Sequence, residues 1–345
     1  MYYFPSIPVN NVNNPVRSLM PRIKIFGALA VLALALVGGA SGASKDVKLN
    51  LVAYSTPAAA FAKIIPAFQA TAAGKGVSFS QSYGASGDQA RAVLSGLPAD
   101  VIDLSLQPDM TTLVQAGVVG RDWNANKYKG FVTTSVVVFV VRDGNPKKIK
   151  TWDDLTKKGV DIITPNPFTS GGARWNVMAA YGTYLKETKS PTKAVAKLTQ
   201  LFQNVSVQDK SARNALNTFL GGKGDVLLTY ENEAILAQQN KQNVQYVIPK
   251  STILIENPLA VTTKAPAEAK AFYNYLYTPA AQRLFAQTGY RPILKSVAKE
   301  FKFPARPDLF TIRTLGGWKK VQPQFFDPDK GIMATVERKV GGVTG

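Results

Sequence analysis

The sequence predicts an α/β fold with largely parallel strands. Short runs rich in β-branched residues alternate with segments of helical periodicity, which is the pattern typical of such folds. At 345 residues, with 46% hydrophobic and 18% charged residues, the chain is long enough for two domains and apolar enough to bury their cores.

The first half of the chain carries one α/β series. Its helix near Ala58 places Phe61, Ile64 and Phe68 on one side, as a half-buried helix requires. A long apolar run, Val132–Val141, follows this series and ends at a Gly-Asn-Pro turn. The predicted strands are Val47–Ala53, Val77–Gln81 and Ala99–Ser105, and the predicted helices are Ala58–Ala72 and Asp88–Leu97.

A second α/β series follows. The chain is expected to pass between two lobes near Thr133–Val138 and again near Lys250–Ile255, so residues 44–133 with 255–345 would form one lobe and 134–254 the other. The predicted helices are Trp152–Lys157, Ala173–Lys186, Asn214–Leu220 and Ala265–Tyr277, and the strands are Val160–Thr164, Val205–Gln208, Asp225–Tyr230, Val244–Pro249 and Leu259–Thr263.

The N-terminus has the pattern of an export signal. Arg22 and Lys24 precede the uncharged apolar run Ile25–Val37, and small residues with a cleavage pattern at Ser41-x-Ala43 follow. A membrane anchor is the alternative, but a spanning helix needs about 20 apolar residues and this run is shorter. We therefore expect residues 1–43 to be a signal peptide, with Met20 as an alternative start.

The composition excludes several classes of site. The chain contains no Cys and no His, so disulfides, thiolate metal sites and the commonest general base are absent. The formal net charge of +19 indicates attraction to anions. The basic residues are scattered and form no dense run with interleaved aromatics, which argues against nucleic acid as a partner. No cofactor is expected.

Three loops rich in Gly, Ser and Ala lie between a predicted strand and a predicted helix. They are Tyr83–Gln89, Thr164–Arg174 and Asp209–Asn214. The first N–H groups of a helix have no internal partner and lie at the positive end of its dipole, and small residues let an anion approach them. Several such helix starts in one place would hold an anion without a charged side chain.

Each loop also has a purely structural interpretation. Ser86 with Gln89 fits a capping box, Ser211 fits a simple helix cap, and Ser170 could belong to a flexible turn. Arg174 and Arg213 could contact an anion directly or brace the loops through acidic partners. The residues alone leave these alternatives open.

Several longer motifs stand out along the chain after the leader. They are Trp152-Asp153-Asp154-Leu155, Thr164-Pro165-Asn166-Pro167, Ser170-Gly171-Gly172-Ala173-Arg174-Trp175-Asn176, Glu231-Asn232-Glu233-Ala234 and Gly316-Gly317-Trp318. These motifs resemble those of bacterial periplasmic sulfate- and thiosulfate-binding proteins, and the resemblance covers nearly all of the chain after the leader. The resemblance implies a two-lobed periplasmic-binding-protein fold of type II, a ligand held in the cleft between the lobes, and a membrane ABC transporter permease as partner. We expect an extracytoplasmic monomer.

The resemblance also implies a set of ligand-binding residues. It assigns hydrogen-bond donors to the anion, mostly backbone N–H groups, at Ser55, Ser86, Ser170, Gly171, Gly172, Ala212 and Tyr230. The chain departs from the family at three of these loops, with Ser55 in place of an Asp, Tyr230 in place of a Trp, and Asp88 where a Lys is often found. Thiosulfate therefore stays open beside sulfate, with molybdate as a third ligand.

Sulfate is favoured over phosphate by hydrogen-bond chemistry. Sulfate is fully ionised at neutral pH and only accepts, whereas hydrogen phosphate keeps a proton whose unmatched burial costs about 1–3 kcal/mol. Asp88 could accept that proton if it turned inward, but a surface position in a helix first turn is the expectation. An exported sulfate- or phosphate-ester hydrolase is the alternative from another class of protein.

Overall fold

The computed structural model describes residues 46–306 and 308–342. The predicted signal peptide lies outside these residues. The strands are β1 (Val47–Tyr54), β2 (Val77–Gly84), β3 (Val101–Asp103), β4 (Phe131–Arg142), β5 (Ile162–Pro165), β6 (Val205–Asp209), β7 (Val226–Tyr230), β8 (Val244–Val247), β9 (Ser251–Val261), β10 (Arg291–Pro292) and β11 (Asp308–Phe310).

Helices occupy the connections between these strands. The α-helices are α1 (Ala58–Gln69), α2 (Ser86–Leu94), α3 (Gln107–Gln115), α4 (Gly171–Thr188), α5 (Pro191–Gln203), α6 (Ala212–Leu220), α7 (Glu231–Gln239), α8 (Ala267–Leu276), α9 (Pro279–Gln287), α10 (Lys295–Ala298), α11 (Trp318–Phe326) and α12 (Ile332–Val340). Short 3-10 helices lie at Trp152–Thr156 and Ile312–Leu315. No helix of the described part of the chain is long and apolar enough to cross a membrane.

Eight of the eleven strands of the described residues form one hydrogen-bonded path in the order β2-β1-β3-β9-β4-β7-β5-β6, while β8 and β10 pair with β4 and β11 pairs with β9. At one end β1 pairs in parallel with β2 and β3, and at the other end β5 pairs in parallel with β6 and β7. The carboxyl ends of parallel strands meet at one edge, where α/β folds place their ligands. The α/β fold predicted from the sequence is therefore confirmed, whereas the expected parallel pairing holds in these two groups and not for the central strands β4 and β9, which pair antiparallel.

Two long antiparallel strands join the two parallel groups. The first half of β4 pairs with β9, and its second half, Val137–Val141, pairs with β7. Strand β9 pairs through Leu259–Val261 with β3. These strands lie where the sequence predicted the passages between lobes, at Thr133–Val138 and Lys250–Ile255.

The division into two lobes stays a prediction, and the contacts of the C-terminal segment favour a different lobe for this segment. Strand β11 pairs with the start of β9, and α12 packs on α5. Glu337 of α12 accepts a hydrogen bond from Gln208 at 2.8 Å. Residues after 308 thus contact the middle segment of the chain, so we place them with residues 134–254 in a revised division.

Apolar layers on both sides of the sheet fix the positions of the helices. On one side of the first parallel group, Leu49 and Leu51 pack with Phe61 of α1 and Phe272 of α8 in a fully buried cluster. On the other side, Val52 and Ile102 pack under α2 and α3. Each buried aliphatic or aromatic side chain of this kind contributes about 1.5–3 kcal/mol relative to an exposed one.

Candidate functional site

The N-terminal ends of α2, α4 and α6 lie together. Gly87 of α2 donates its N–H to the Thr169 carbonyl, with an N···O distance of 3.2 Å, which joins the start of α2 to the loop before α4. A Cβ atom built on Gly172 would lie 3.3 Å from the Cβ of Ala212, so the starts of α4 and α6 are in contact. Three positive helix ends therefore face one small region.

Tyr230 closes this region from the end of β7. Its hydroxyl oxygen lies 2.5 Å from the hydroxyl oxygen of Ser105, which follows β3. A Cβ on Gly172 would lie 3.6 Å from the Tyr230 ring. Burial raises the pKa of Tyr230 well above its ordinary value, despite a lowering effect of the Ser105 hydrogen bond, so the phenol stays protonated.

The end of β1 joins the same region through Ser55. Its hydroxyl oxygen accepts the Arg213 N–H at 3.4 Å, next to Ala212 at the start of α6. The structure therefore brings all the residues that the sequence assigned to the site into one contiguous group. We call this group the loop cluster: Ser55, Ser86, Ser170, Gly171, Gly172, Ala212 and Tyr230.

Ser86 does not act as a helix cap. The N-cap residue of α2 is Ala85, without a side-chain cap, and Gln89 instead accepts a hydrogen bond from Ser82 at 3.0 Å. The Ser86 hydroxyl donates to Asp109 of α3 at 2.6 Å and accepts the Ser105 N–H at 3.1 Å. The capping-box interpretation is wrong because Asp109, far away in sequence, provides a stronger acceptor for the hydroxyl.

Ser170 and Ser211 do cap their helices. The Ser170 oxygen accepts the Ala173 N–H at 3.4 Å, and the Ser211 oxygen accepts the Asn214 N–H at 3.2 Å. Helix geometry gives the N–H groups of Gly171, Gly172 and Ala212 no partner within their own helices. These three first-turn groups are the donors best placed for a ligand.

Replacing Ser211 with Ala is expected to lower the free energy of unfolding by about 1 kcal/mol, because the Asn214 N–H loses its cap. Denaturant unfolding measures this loss. Ser80→Ala in β2 is the matched control, since Ser80 is exposed and its replacement is expected to change stability by less than about 0.5 kcal/mol. Equal stabilities of the two variants would contradict the capping role.

Both arginines near the loop cluster brace it. Arg213 of α6 pairs in bidentate geometry with Glu233 of α7, at 2.8 and 2.7 Å, and also donates to the Thr56 carbonyl at 3.2 Å. Arg174 of α4 donates to the Pro167 carbonyl at 2.7 Å and lies 3.8 Å from Asp109. Of the two roles that the sequence left open, the observed contacts show bracing.

Two acidic side chains, Asp88 and Asp109, lie near the loop cluster and affect its electrostatic environment. Asp88 forms an ion pair with Arg91 and keeps 41% of its side chain exposed, so it lies at the surface as expected for a helix first turn. Burial raises the pKa of Asp109 above its ordinary value, against the lowering effects of Arg174 and of the Ser86 hydrogen bond. The loop cluster itself contains no carboxylate, guanidinium or ammonium group.

Ser105 is the main site residue that the sequence interpretation missed. It lies 1% exposed in the middle of the cluster, and a Cβ built on Gly171 would come within 2.4 Å of its hydroxyl oxygen. The indole N–H of Trp175 donates to its carbonyl at 3.0 Å. Its place as the last residue of the predicted strand Ala99–Ser105 was the available signal, since such strand ends carry ligand sites.

Comparison with known proteins shows which family the chain resembles. The sequence profile of the family described as bacterial extracellular solute-binding protein matches residues 49–291. The chain is 42% identical to the sulfate-binding protein of Synechococcus elongatus, covering 90% of this chain and 94% of that protein. It is 35% identical to the thiosulfate-binding protein of Pseudomonas aeruginosa, over 88% of this chain and 96% of that one.

A solved structure extends the comparison to the fold. The sulfate-binding protein SubI from Mycobacterium tuberculosis superposes with a TM-score of 0.79 at 44% identity, covering 81% of this chain and all of that one. The expected type II periplasmic-binding fold is therefore confirmed.

Proposed function

This chain belongs to the bacterial extracellular solute-binding protein family, and from that premise we propose that it captures sulfate outside the cytoplasm and delivers it to an ABC importer. The relatives named as sulfate-binding proteins, with identities of 39–42% over most of the chain, support sulfate as the solute. The predicted leader and the extracellular family description support export. The membrane permease of the importer is the expected partner.

One observation carries the proposal: the N-termini of α2, α4 and α6 meet in the loop cluster, together with the hydroxyl groups of Ser170 and Tyr230. The N–H groups of Gly171, Gly172 and Ala212 can all donate to one oxyanion, with the Ser170 and Tyr230 hydroxyls as further donors. Each helix dipole adds about half a positive charge at its N-terminus. Three dipoles together offer about 1.5 positive charges, which offset most of the charge of a dianion without a cation.

The arginines stabilise this arrangement without neutralising the anion directly. Arg213 is held by Glu233 and Arg174 by Pro167 and Asp109, so the charge of each is largely committed to a partner. Their position keeps the loops rigid, and a preorganised site loses less entropy when the ligand binds. Specificity therefore comes from the directions of the donors more than from net charge.

The role is binding and not catalysis. Backbone N–H groups provide no nucleophile and no general base, the chain contains no His to activate a serine, and the relatives are named for binding. Incubation of the pure protein with a chromogenic sulfate or phosphate ester is expected to give no product above background. Measurable turnover that is lost on substitution within the loop cluster would contradict the binding role.

Sulfate is expected to raise the thermal stability of the purified protein. At about 100 times the dissociation constant, a ligand that binds only the folded state adds roughly 2.7 kcal/mol of stability. Thermal unfolding is measured with sulfate, thiosulfate, molybdate and chloride at equal ionic strength. No shift with any oxyanion relative to chloride would refute the proposal, and a larger shift with thiosulfate would reassign the ligand.

A further inference from the structure

The hydroxyl groups of Ser105 and Tyr230 form a buried pair inside the loop cluster. Their oxygens are 2.5 Å apart, and the two residues are 1% and 0% exposed. Ser105 lies two residues after β3 and Tyr230 is the last residue of β7, so the pair bridges two separate parts of the sheet.

The backbone of Ser105 is fixed on both sides. Its N–H donates to the Ser86 hydroxyl oxygen at 3.1 Å, and its carbonyl accepts from the Trp175 indole at 3.0 Å. The Gly171 backbone passes so close that an added Cβ would be 2.4 Å from the Ser105 hydroxyl oxygen. The pair is therefore held against the backbone donors of α4.

A hydroxyl pair differs from an N–H donor in its hydrogen-bond capacity. Each hydroxyl has one hydrogen and two lone pairs, whereas an indole N–H only donates. The bond between Ser105 and Tyr230 uses one hydrogen and one lone pair, and either oxygen can be its donor. One hydrogen and several lone pairs remain. Rotation of the hydroxyl groups can point either the hydrogen, as a donor, or a lone pair, as an acceptor, toward a ligand.

Each of the other hydroxyls of the cluster has part of its capacity used by a fixed partner. The Ser86 hydrogen is committed to Asp109, and the Ser55 and Ser170 oxygens each accept one backbone N–H group, from Arg213 and Ala173. The Ser105–Tyr230 pair differs because its two hydroxyls bond to each other, so the remaining hydrogen and lone pairs can be offered from either oxygen.

We propose that the Ser105–Tyr230 pair accepts the proton of a monoprotonated tetrahedral oxyanion, so that the site takes hydrogen phosphate or hydrogen arsenate as well as sulfate. With sulfate, the pair donates its remaining hydrogen to the ligand. With hydrogen phosphate, the ligand hydroxyl donates to a lone pair of Ser105 or Tyr230. This inference rests on the proposed function, because it uses the same loop cluster.

The first test uses the unmodified protein and compares two isosteric dianions. Calorimetry at pH 8 measures the dissociation constants of sulfate, hydrogen phosphate and monofluorophosphate, which resembles hydrogen phosphate but has no proton to donate. We expect hydrogen phosphate to bind at least as tightly as monofluorophosphate. If the protein binds sulfate but binds monofluorophosphate much more tightly than hydrogen phosphate, the inference is overturned and the proposed function stays intact.

The second test removes the acceptor. In Ser105→Ala/Tyr230→Trp, the indole can donate but cannot accept, so the ratio of the phosphate to the sulfate dissociation constant is expected to rise by roughly tenfold or more. An unchanged ratio in the folded variant would overturn the inference. Absence of sulfate binding in the unmodified protein would instead overturn the proposed function.

Discussion

Replacing Gly171 with Asp is expected to abolish sulfate binding. The first atom of any side chain at this position would lie 2.4 Å from the Ser105 hydroxyl oxygen and 2.9 Å from a Leu106 side-chain carbon. Ser105 cannot move freely, because Ser86 and Trp175 hold its backbone. The carboxylate also places a negative charge beside the proposed anion, so the thermal shift with sulfate is expected to disappear.

Graded and matched variants separate the loss of the site from the loss of the fold. Gly171→Ala adds only the Cβ, and overpacking of this kind costs about 1–3 kcal/mol of stability. A loss of the same size in binding would weaken the affinity for sulfate by roughly 5- to 140-fold. Gly221→Asp is the matched control, because Gly221 is exposed and lies at the C-terminal end of α6. We expect it to leave the sulfate dissociation constant unchanged. A folded Gly171→Asp protein that binds sulfate normally would show that the loop cluster is not the site.

The positions of the strands were largely predictable from the sequence. The run Val132–Val141 is apolar and β-branched, and it forms the central strand β4 almost as predicted. A local pattern also identified Ser211 as a helix cap, because a cap is a short-range interaction that the sequence displays directly. The start of α4 was predicted at Ala173, two residues late, because Ser170 and the two glycines after it also fit a flexible turn.

Helix α7 shows why other elements were missed. Its first residues, Glu231, Asn232 and Glu233, are polar yet fully buried, so the helix has no apolar face that a periodicity analysis could detect. The two glutamates are buried because Arg291 and Arg213 reach them from other elements. Tertiary pairing of this kind leaves no local pattern.

The site also combines features that the sequence displays locally with contacts that only the folded structure reveals. The glycines and serines of its loops were visible as motifs, whereas the partner of each hydroxyl was not. The sequence around Ser86 matched a capping box, but its hydroxyl donates to Asp109. The Tyr230 hydroxyl forms a hydrogen bond with Ser105, which is 125 positions earlier in the chain. Short-range patterns therefore identified the loops, and only the folded structure assigned their hydrogen bonds.

Replacing Arg213 with Met is expected to lower the free energy of unfolding by about 3–5 kcal/mol, because it leaves the fully buried Glu233 carboxylate without its partner. Removal of both charges in Arg213→Met/Glu233→Leu is expected to recover most of this loss, since a buried pair replaced by apolar groups is often close to neutral. Urea unfolding of the single and double variants measures the difference.

An exposed ion pair provides the control for this cycle. Arg91→Met breaks the pair with Asp88, whose side chains are 58% and 41% exposed, and such pairs contribute at most about 1 kcal/mol. Sulfate affinity of the double variant then separates the two roles of Arg213. If Arg213 only braces the loops, the double variant is expected to bind sulfate within about tenfold of the unmodified protein, because the backbone donors remain. A much larger loss would show that the guanidinium charge itself stabilises the bound anion.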